Sequence, residues 1–329
     1  MNILITGGTG FIGQRLALEL LQRCNLHLDD KSPLSIKRII LADSQRPESL
    51  LPGLEQDDKV EFCIGDIVNP EYVAMLFRQP VDLVFHLASI VSFHGEQDFD
   101  LAYRVNLDGA RLLFEASRRQ QNGLRLVFAS SIAAFGGEAM PTRVSDITKL
   151  TPTTSYGITK VICELLVNDY SRKGFFDGRS ARLPTVIIRP GKPNQAASSF
   201  VSGLFREPLN GEPCIIPVEP TQTMPVIGYR AVVDGLIRLA ELPAEQLGQD
   251  RALGLPAFNA SVAEMIMALQ NATGEQFGGL HRFEFDPAIA KICQGWPAAV
   301  DGARALALGM PLEDSLEQII QYYIEDYVS

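Results

Sequence analysis

Positive charge is scarce in this chain: 29 Lys and Arg stand against 39 Asp and Glu, a formal net charge of −10 with four neutral His. That balance argues against non-specific binding to nucleic acid or to an acidic membrane surface. Cysteine is scarce too. Cys24, Cys63, Cys163, Cys214 and Cys293 are isolated, odd in number and never arranged as CxxC, which argues against a disulfide framework or a zinc cluster. No apolar run approaches the roughly 18 residues of a membrane-spanning helix. The opening MNILITGGTG has no basic stretch followed by an apolar leader and a cleavage site, so no export signal is expected and a cytoplasmic location is. HExxH, a P-loop lysine and a GxSxG elbow are all missing, as are internal repeats, and no metal site is expected. What remains, 46% hydrophobic and 21% charged over 329 residues, reads as a globular chain with one large or two unequal domains.

Residues 2–6, NILIT, form an apolar strand running directly into GGTGFIG, and Phe11, Leu16, Leu20 and Leu21 then recur at helical spacing. A polar stretch from Asn25 to Ser35 lengthens this first unit before IKRIILAD restores a strand ending at Asp43. The alternation continues with strands at 60–64, 82–87 and 124–129, helices at 70–78, 99–119 and 155–172, and a β-rich run at 182–188. Strands separated by helix-length segments predict a Rossmann-like parallel sheet with helices on both faces. Beyond Pro190 the rhythm weakens. Residues 1–190 are expected to be mainly a dinucleotide-binding domain and 191–329 mainly a smaller substrate lobe, with some elements returning to the main sheet. Helices are expected at 198–206, 229–241 and 313–327, and Ser261 with Glu264 predicts a capping box on a helix stopping at Gly274.

Gly7, Gly10 and Gly13, with Phe11 and Ile12 between the last two, make a GxxGxxG turn after the first strand. A cofactor phosphate must approach the backbone there and meet the free N–H groups of a helix end, which a Cβ would obstruct. Asp43, just past the second strand, can accept both hydroxyl hydrogens of an NAD ribose and would repel a 2′-phosphate; nearby Arg46 keeps NADP open. Asp66 and Ile67 can bracket an adenine, although GDI is also what an ordinary turn looks like. Leu87, Ala88 and Ser89 follow the fourth strand where the chain would pass the pyrophosphate and ribose. His86, inside that apolar strand, reads as a satisfied core histidine. Glu96, Asp98 and Asp100 read as a solvated helix approach, and Trp296 as packing under the small lobe.

Tyr156 and Lys160 stand at i,i+4 on one helix face, with Ser131 25 residues before the tyrosine. A phenol with pKa about 10 is a poor base near neutrality, and a neighbouring ammonium favours its ionised form. Tyr156 is thus expected to remove a hydroxyl proton while hydride leaves the adjacent carbon, Ser131 to hold the substrate oxygen, and Lys160 also to bind the nicotinamide ribose.

Taken in order, TGGTGFIG, GDI, HLAS, VNLDG, FASSIAAFG, YGITK and IIRPG resemble the extended short-chain dehydrogenase/reductase family, also called the NAD-dependent epimerase/dehydratase family, across about residues 1–191. The resemblance implies NAD as cofactor, Ser131, Tyr156 and Lys160 as catalytic residues, and Asn106 as a helix-positioned support of their network. Pairing through packed helices is common in that family, so a homodimer is an expectation as well.

Ser131 is followed by Ile132 and Ala133, without the acidic pair of the family's sugar dehydratases, which disfavours dehydration. The segment Arg189-Pro190-Gly191-Lys192-Pro193-Asn194 lacks the tyrosine of its nucleotide-sugar members. HLASIVS, AYRVNLDG, TPTTSYGITK, NDYSRKGFFDG and RLPTVIIRPGKPN instead resemble a branch of small sugar-acid oxidoreductases, implying NAD-dependent oxidation at C2 of a four-carbon sugar acid to a 2-oxo-tetronate. A carboxylate needs charge-assisted donors. Lys192 leads the cationic candidates and Arg143 is its alternate. Ser92, Ser130 and Asn194 are polar contacts to weigh with Ser131 and Tyr156, Ser198 and Ser199 weaker ones; each is equally readable as a solvated loop residue. The competing readings are a nucleotide-sugar epimerase and a non-enzymatic dinucleotide sensor.

Overall fold

NILIT is apolar throughout because its strand is covered on both faces. In the computed structural model, which describes residues 1–28, 32–47, 49–191, 198–274 and 279–328, Ile3, Leu4 and Ile5 of β1 (Asn2–Thr6) have no exposure. Side chains of a strand alternate between faces, and here they divide two cores. Ile3 and Ile5 join Ile39 and Leu41 of β2 (Arg38–Asp43) beneath Leu16, Ala17 and Leu20 of α1 (Phe11–Arg23). Leu4 and Ile40 face the other way, toward Val84, Leu126 and Phe128. Burying each of these large side chains contributes about 1.5–3 kcal/mol.

The remaining strands of this sheet are β3 (Val60–Ile64), β4 (Leu83–His86), β5 (Arg125–Ser131), β6 (Asp177–Leu183) and a short edge strand, Ala252–Gly254. The order is Ala252–Gly254, β6, β5, β4, β1, β2, β3, seven strands, all parallel. The chain reverses direction across the sheet between β1 and β4, and ligands of such folds bind outside the strands' carboxyl ends at that switch point. Helix α2 (Ala110–Gln120) and helix α3 (Ser155–Arg172) cover one face. On the other, α1 is joined by α4 (Tyr229–Glu241), whose Val232, Leu236 and Leu239 enter the same core. Thus α4 and Ala252–Gly254 return from the C-terminal third to the main sheet.

The other C-terminal elements build a second core around Ile187, Leu204, Phe205, Val226, Met265, Leu269 and Ile320. A three-stranded sheet of Thr185–Ile187, Thr223–Gly228 and Phe258–Ser261 lies under helices Ser199–Leu209, Val262–Thr273 and α5 (Leu316–Tyr327). The capping box is present: Ser261 accepts from the Glu264 N–H while Glu264 reaches back to the Ser261 backbone. Glu313, expected at the head of the last helix, lies outside it. Its carboxylate instead accepts from Gly228 and Ala231 N–H at 3.4 and 3.3 Å, capping α4.

Three expectations are corrected. The β-rich run 182–188 is two strands: β6 begins at Asp177, and Pro184 separates it from Thr185–Ile187, which belongs to the small sheet. The helix at 99–119 is interrupted by a π-helical turn at Arg104–Gly109. The polar insertion after α1 contains a small antiparallel pairing of Asn25–Leu26 with Leu34–Ser35. No helix among the described residues is long and apolar enough to cross a membrane.

Candidate active site

The glycine turn between β1 and α1 is built by close approach. Gly7 has φ +69°, and a Cβ there would stand 2.8 Å from the Ala88 nitrogen. At Gly13 a Cβ would stand 2.7 Å from Gly8 Cα and closer still to the Gly7 carbonyl, so glycine lets α1 seat on the turn. Gly10 is the N-cap of α1 and gives it no side-chain cap, which leaves the positive end of the helix open to an anionic group. Asp43 closes the turn from β2: its carboxylate accepts from Thr9 N–H at 3.1 Å and from Ser44 N–H at 2.8 Å.

A cleft of about 760 Å³ opens at the carboxyl ends of the strands, a size usual for cofactor and small-ligand sites. Gly7, Gly10, Phe11, Ile12, Gly13, Leu87, Ser92, Ser130, Ser131 and Tyr156 all line it. Asp43, Asp66, Ile67, Ala88, Ser89, Asn106, Arg143 and Lys160 do not form its lining, while Lys192 and Asn194 lie outside the described residues.

Ser131 ends β5 in extended backbone, and its Oγ accepts from Ala133 N–H at 3.1 Å. Tyr156 occupies the first turn of α3, whose N-terminus is capped by Thr154. One turn on, Lys160 is buried; its ammonium donates to the Ala129 carbonyl at 2.8 Å and lies 5.4 Å from the Tyr156 ring centroid. Burial raises the Tyr156 pKa above the ordinary phenol value, and the Ser131 hydroxyl offsets part of that rise. Burial also pulls Lys160 down to about 8, against opposing effects of Cys163 and Glu164. The Lys160 ammonium is thus held by a backbone carbonyl and faces the Tyr156 ring.

Asn106 sits in the π-helical turn, 4% exposed. Its Oδ1 accepts from Ile90 N–H at 2.7 Å and from Ser89 Oγ at 3.1 Å, and its Nδ2 donates to the Ile90 carbonyl at 3.0 Å. Asn106 thus holds the segment after β4 that supplies Leu87 to the cleft. Ile67 packs in the core, where a Cβ on Gly109 would come 2.9 Å from its Cγ2, and Asp66 accepts from Val68 N–H at 3.1 Å. His86 bonds Thr6 through Nδ1 at 2.6 Å, and burial takes its pKa down to about 3, so it is the satisfied core histidine the strand predicted.

Two expected substrate contacts are otherwise engaged. The Ser130 hydroxyl donates inward to Glu164. Arg143 lies on a small strand paired with Ala299–Val300 and donates to the Val300 carbonyl at 3.3 Å. The structure adds others. Trp296, expected only to pack under the small lobe, packs against its core and also lines the cleft; Glu96 lines it while accepting from Ser155 N–H at 2.7 Å. Arg189 lines it as well. The preceding Ile188 is fully buried with φ +55°, a conformation that costs a β-branched residue of order 1–3 kcal/mol and turns the chain out of its strand just before Arg189. No periodicity announces that turn; the adjacent RPG is its only sequence signal.

A parallel sheet of this order, a glycine turn at its switch point, and Ser131 and Tyr156 lining the same crevice with Lys160 buried one turn behind define a nicotinamide-dependent enzyme acting on a CH–OH group. Residues 3–253 match the NAD dependent epimerase/dehydratase family, and the chain belongs to it. Its cofactor is NAD. The chain is 44% identical over 326 residues to the D-erythronate dehydrogenase of Cupriavidus necator, covering 99% of this chain and 98% of that protein. It is 42% identical over 325 residues to the D-erythronate dehydrogenase of Haemophilus influenzae, covering 99% of each. A crystal structure from Agrobacterium tumefaciens, described as a nucleoside-diphosphate-sugar epimerase, superposes with a TM-score of 0.92 at 40% identity, covering 100% of this chain and 94% of that one.

Proposed function

We propose that this protein oxidises D-erythronate at C2 with NAD, giving the 2-oxo acid, NADH and a proton. The observation that carries this reading is the meeting of Ser131 and Tyr156 with the glycine turn in one cleft. The turn fits a dinucleotide: it is open at an uncapped helix N-terminus and shaped by glycines whose Cβ atoms would fill it. Gly7, Gly10, Phe11, Ile12 and Gly13 hold the pyrophosphate side, Asp43 the adenosine ribose, and Leu87, Ala88 and Ser89 the passage between, while Asp66 and Ile67 flank the adenine. NAD, when bound, supplies the hydride acceptor and one positive ring charge.

Ser131 positions the C2 hydroxyl, and Tyr156 takes its proton as the C2–H bonding pair leaves as hydride. Lys160 holds the Ala129 carbonyl and so fixes α3 against the end of β5. Arg189 meets the acid's carboxylate. Burial and neighbouring Arg206 lower its pKa from the arginine value, which still leaves it a cation at neutral pH, and a guanidinium suits a planar carboxylate. Ser92 and the small lobe, through Trp296, enclose the remaining hydroxyls.

The test is NADH absorbance with D-erythronate and a panel of other four-carbon sugar acids, beside nucleotide-sugars followed by product separation. Net NADH with the acid is expected. Epimerised nucleotide-sugar without net NADH, or no turnover of any acid by folded, NAD-binding protein, would overturn the assignment.

Asp43→Asn keeps the turn's bond from Thr9 N–H but removes the charge that accepts the ribose hydroxyls. It is expected to weaken NAD by about 10- to 100-fold, the worth of one or two hydrogen bonds to a charged acceptor, with little change in the chemical step once NAD is saturating. Cofactor titration and turnover at saturation separate the two effects.

A further inference from the structure

Behind the cleft lies a buried ionic chain that contributes no atom to the proposed reaction. Glu164 follows Tyr156 and Lys160 at successive i+4 positions on α3, which places the three on one helix face. It is 2% exposed and does not line the cleft. Arg182 of β6, also 2% exposed, grips it with a fork: Nε lies 3.1 Å from each carboxylate oxygen and Nη2 2.8 Å from Oε2. The carboxylate also accepts from Ser130, the residue before Ser131, and Arg182 stands directly across from Ser130 in the β5–β6 register.

The other end of the chain is anchored too. Asp146 carries one oxygen 3.7 Å from Arg182 and another 3.0 Å from Arg304, and it accepts from Gly254 N–H at 2.8 Å. The Arg182 guanidinium also lies 5.4 Å from the ring centroid of Phe135, itself a lining residue of the cleft.

Two links consequently join α3 to the last residues of β5, and a third joins it to the turn just beyond. Lys160 bonds the Ala129 carbonyl, Glu164 bonds Ser130, and Gly157 packs so closely on the Ala133 carbonyl that no Cβ would fit. Residue 131 lies within these ties, and only Glu164 makes its tie through a buried ion pair. Such a pair is a weak source of net stability compared with apolar residues of similar volume, yet it holds geometry through directional bonds.

We infer that Glu164, gripped by Arg182, is a positioning residue for hydride transfer: it fixes the end of β5, and with it the Ser131 hydroxyl, against the helix face bearing Tyr156 and Lys160. This rests on the dehydrogenase reading above. A displacement of the order of 1 Å between such groups is enough to slow a reaction by about a hundredfold.

The experiment uses the full-length protein, rapid mixing with NAD and D-erythronate, cofactor titration and thermal unfolding. Glu164→Gln leaves the Arg182 charge only its 3.7 Å approach to Asp146, so the single variant carries a cost in stability as well. The deciding variant is Glu164→Gln with Arg182→Met, which removes both charges at similar volume. It is expected to regain most of the unfolding temperature and to bind NAD within about twofold of wild type, yet to transfer hydride at least roughly tenfold more slowly. Ser130→Ala is the second variant, cutting one bond in a small side chain. A several-fold slower transfer with unchanged NAD binding is expected of it. If the double variant transfers hydride at the wild-type rate, or fails to fold while Ser130→Ala matches wild type, the positioning role is overturned. A wild-type protein inert toward every acid would instead defeat the proposed function, and the two failures are thereby distinguishable.

Discussion

Tyr156→Phe is expected to bind NAD almost as the wild type does and to transfer hydride about 10²- to 10⁴-fold more slowly, the range over which a positioned acid or base contributes. The substitution removes one oxygen and leaves the ring, so the 5.4 Å approach of the Lys160 ammonium to that ring persists. No space is opened in a core, and the glycine turn is untouched. What is lost is the only phenol among the described residues that lines the cleft, beside the Ser131 hydroxyl. The phenol's pH dependence should disappear with it. Burial holds this phenol above its ordinary pKa, and the ionised form is the base, so wild-type oxidation rises with pH by up to about tenfold per unit through the alkaline range. In Tyr156→Phe the residual rate should lack this rise, keeping only the change that titration of Lys160, with its pKa of about 8, brings. A stopped-flow series from neutral to alkaline pH, with NAD affinity measured in parallel, checks both statements.

Gly13→Ala is expected to damage the fold and the cofactor site together. Its new methyl would meet the Gly7 carbonyl and Gly8 Cα, the latter at 2.7 Å, and both belong to a backbone that cannot swing aside. Helix α1 must then lift from the turn, straining the bonds that Gln14 makes nearby: its Nε2 donates to the Thr9 carbonyl at 2.7 Å and its Oε1 accepts from Leu51 N–H at 2.9 Å. Overpacking of this kind costs about 1–3 kcal/mol or more. NAD affinity should fall by at least roughly tenfold, because the N–H groups of the first helical turn move relative to the strand ends. Gly123→Ala is the control. Its φ of +71° makes the substitution strained, but nothing lies within 4 Å of the added carbon, so its cost of about 1 kcal/mol is confined to the backbone and NAD binding is unaffected. Calorimetric unfolding and isothermal titration of the two variants make the comparison.

How far this site was legible in the chain depends on whether chemistry and local pattern coincide. They coincide at β1 and the glycine turn, because a parallel strand buried on both faces must be apolar and a backbone approached on two sides must be glycine. They coincide at Tyr156 and Lys160, where helical spacing is itself the geometry, and at Ser261 with Glu264, where a cap is written within four residues. They part at β6. Its sequence, DGRSARL, carries Arg179 and Arg182 into the interior of the sheet, with Asp177 partly exposed at its start, so the apolar signal of a strand is absent. Arg179 pairs locally with Asp177, but its other donors are met by the Leu239 and Leu242 carbonyls at 2.8 and 2.7 Å, beyond the reach of any window along the chain. The same holds for Ser130. A serine beside Ser131 is a natural substrate contact until Glu164, on another element, claims its hydroxyl. Arg189 is not legible as a site residue because its exposure to the cleft depends on the unusual backbone of Ile188, and side-chain type carries no trace of that.

Transfer of deuterium from C2-deuterated D-erythronate to NAD by the wild-type protein tests the central claim most directly. The account predicts that the label leaves C2 and appears on the reduced nicotinamide ring, while unlabelled substrate yields ordinary NADH. Reduced cofactor free of deuterium with the label still in the acid, or no reduction of NAD by a folded protein that binds it, would contradict the account.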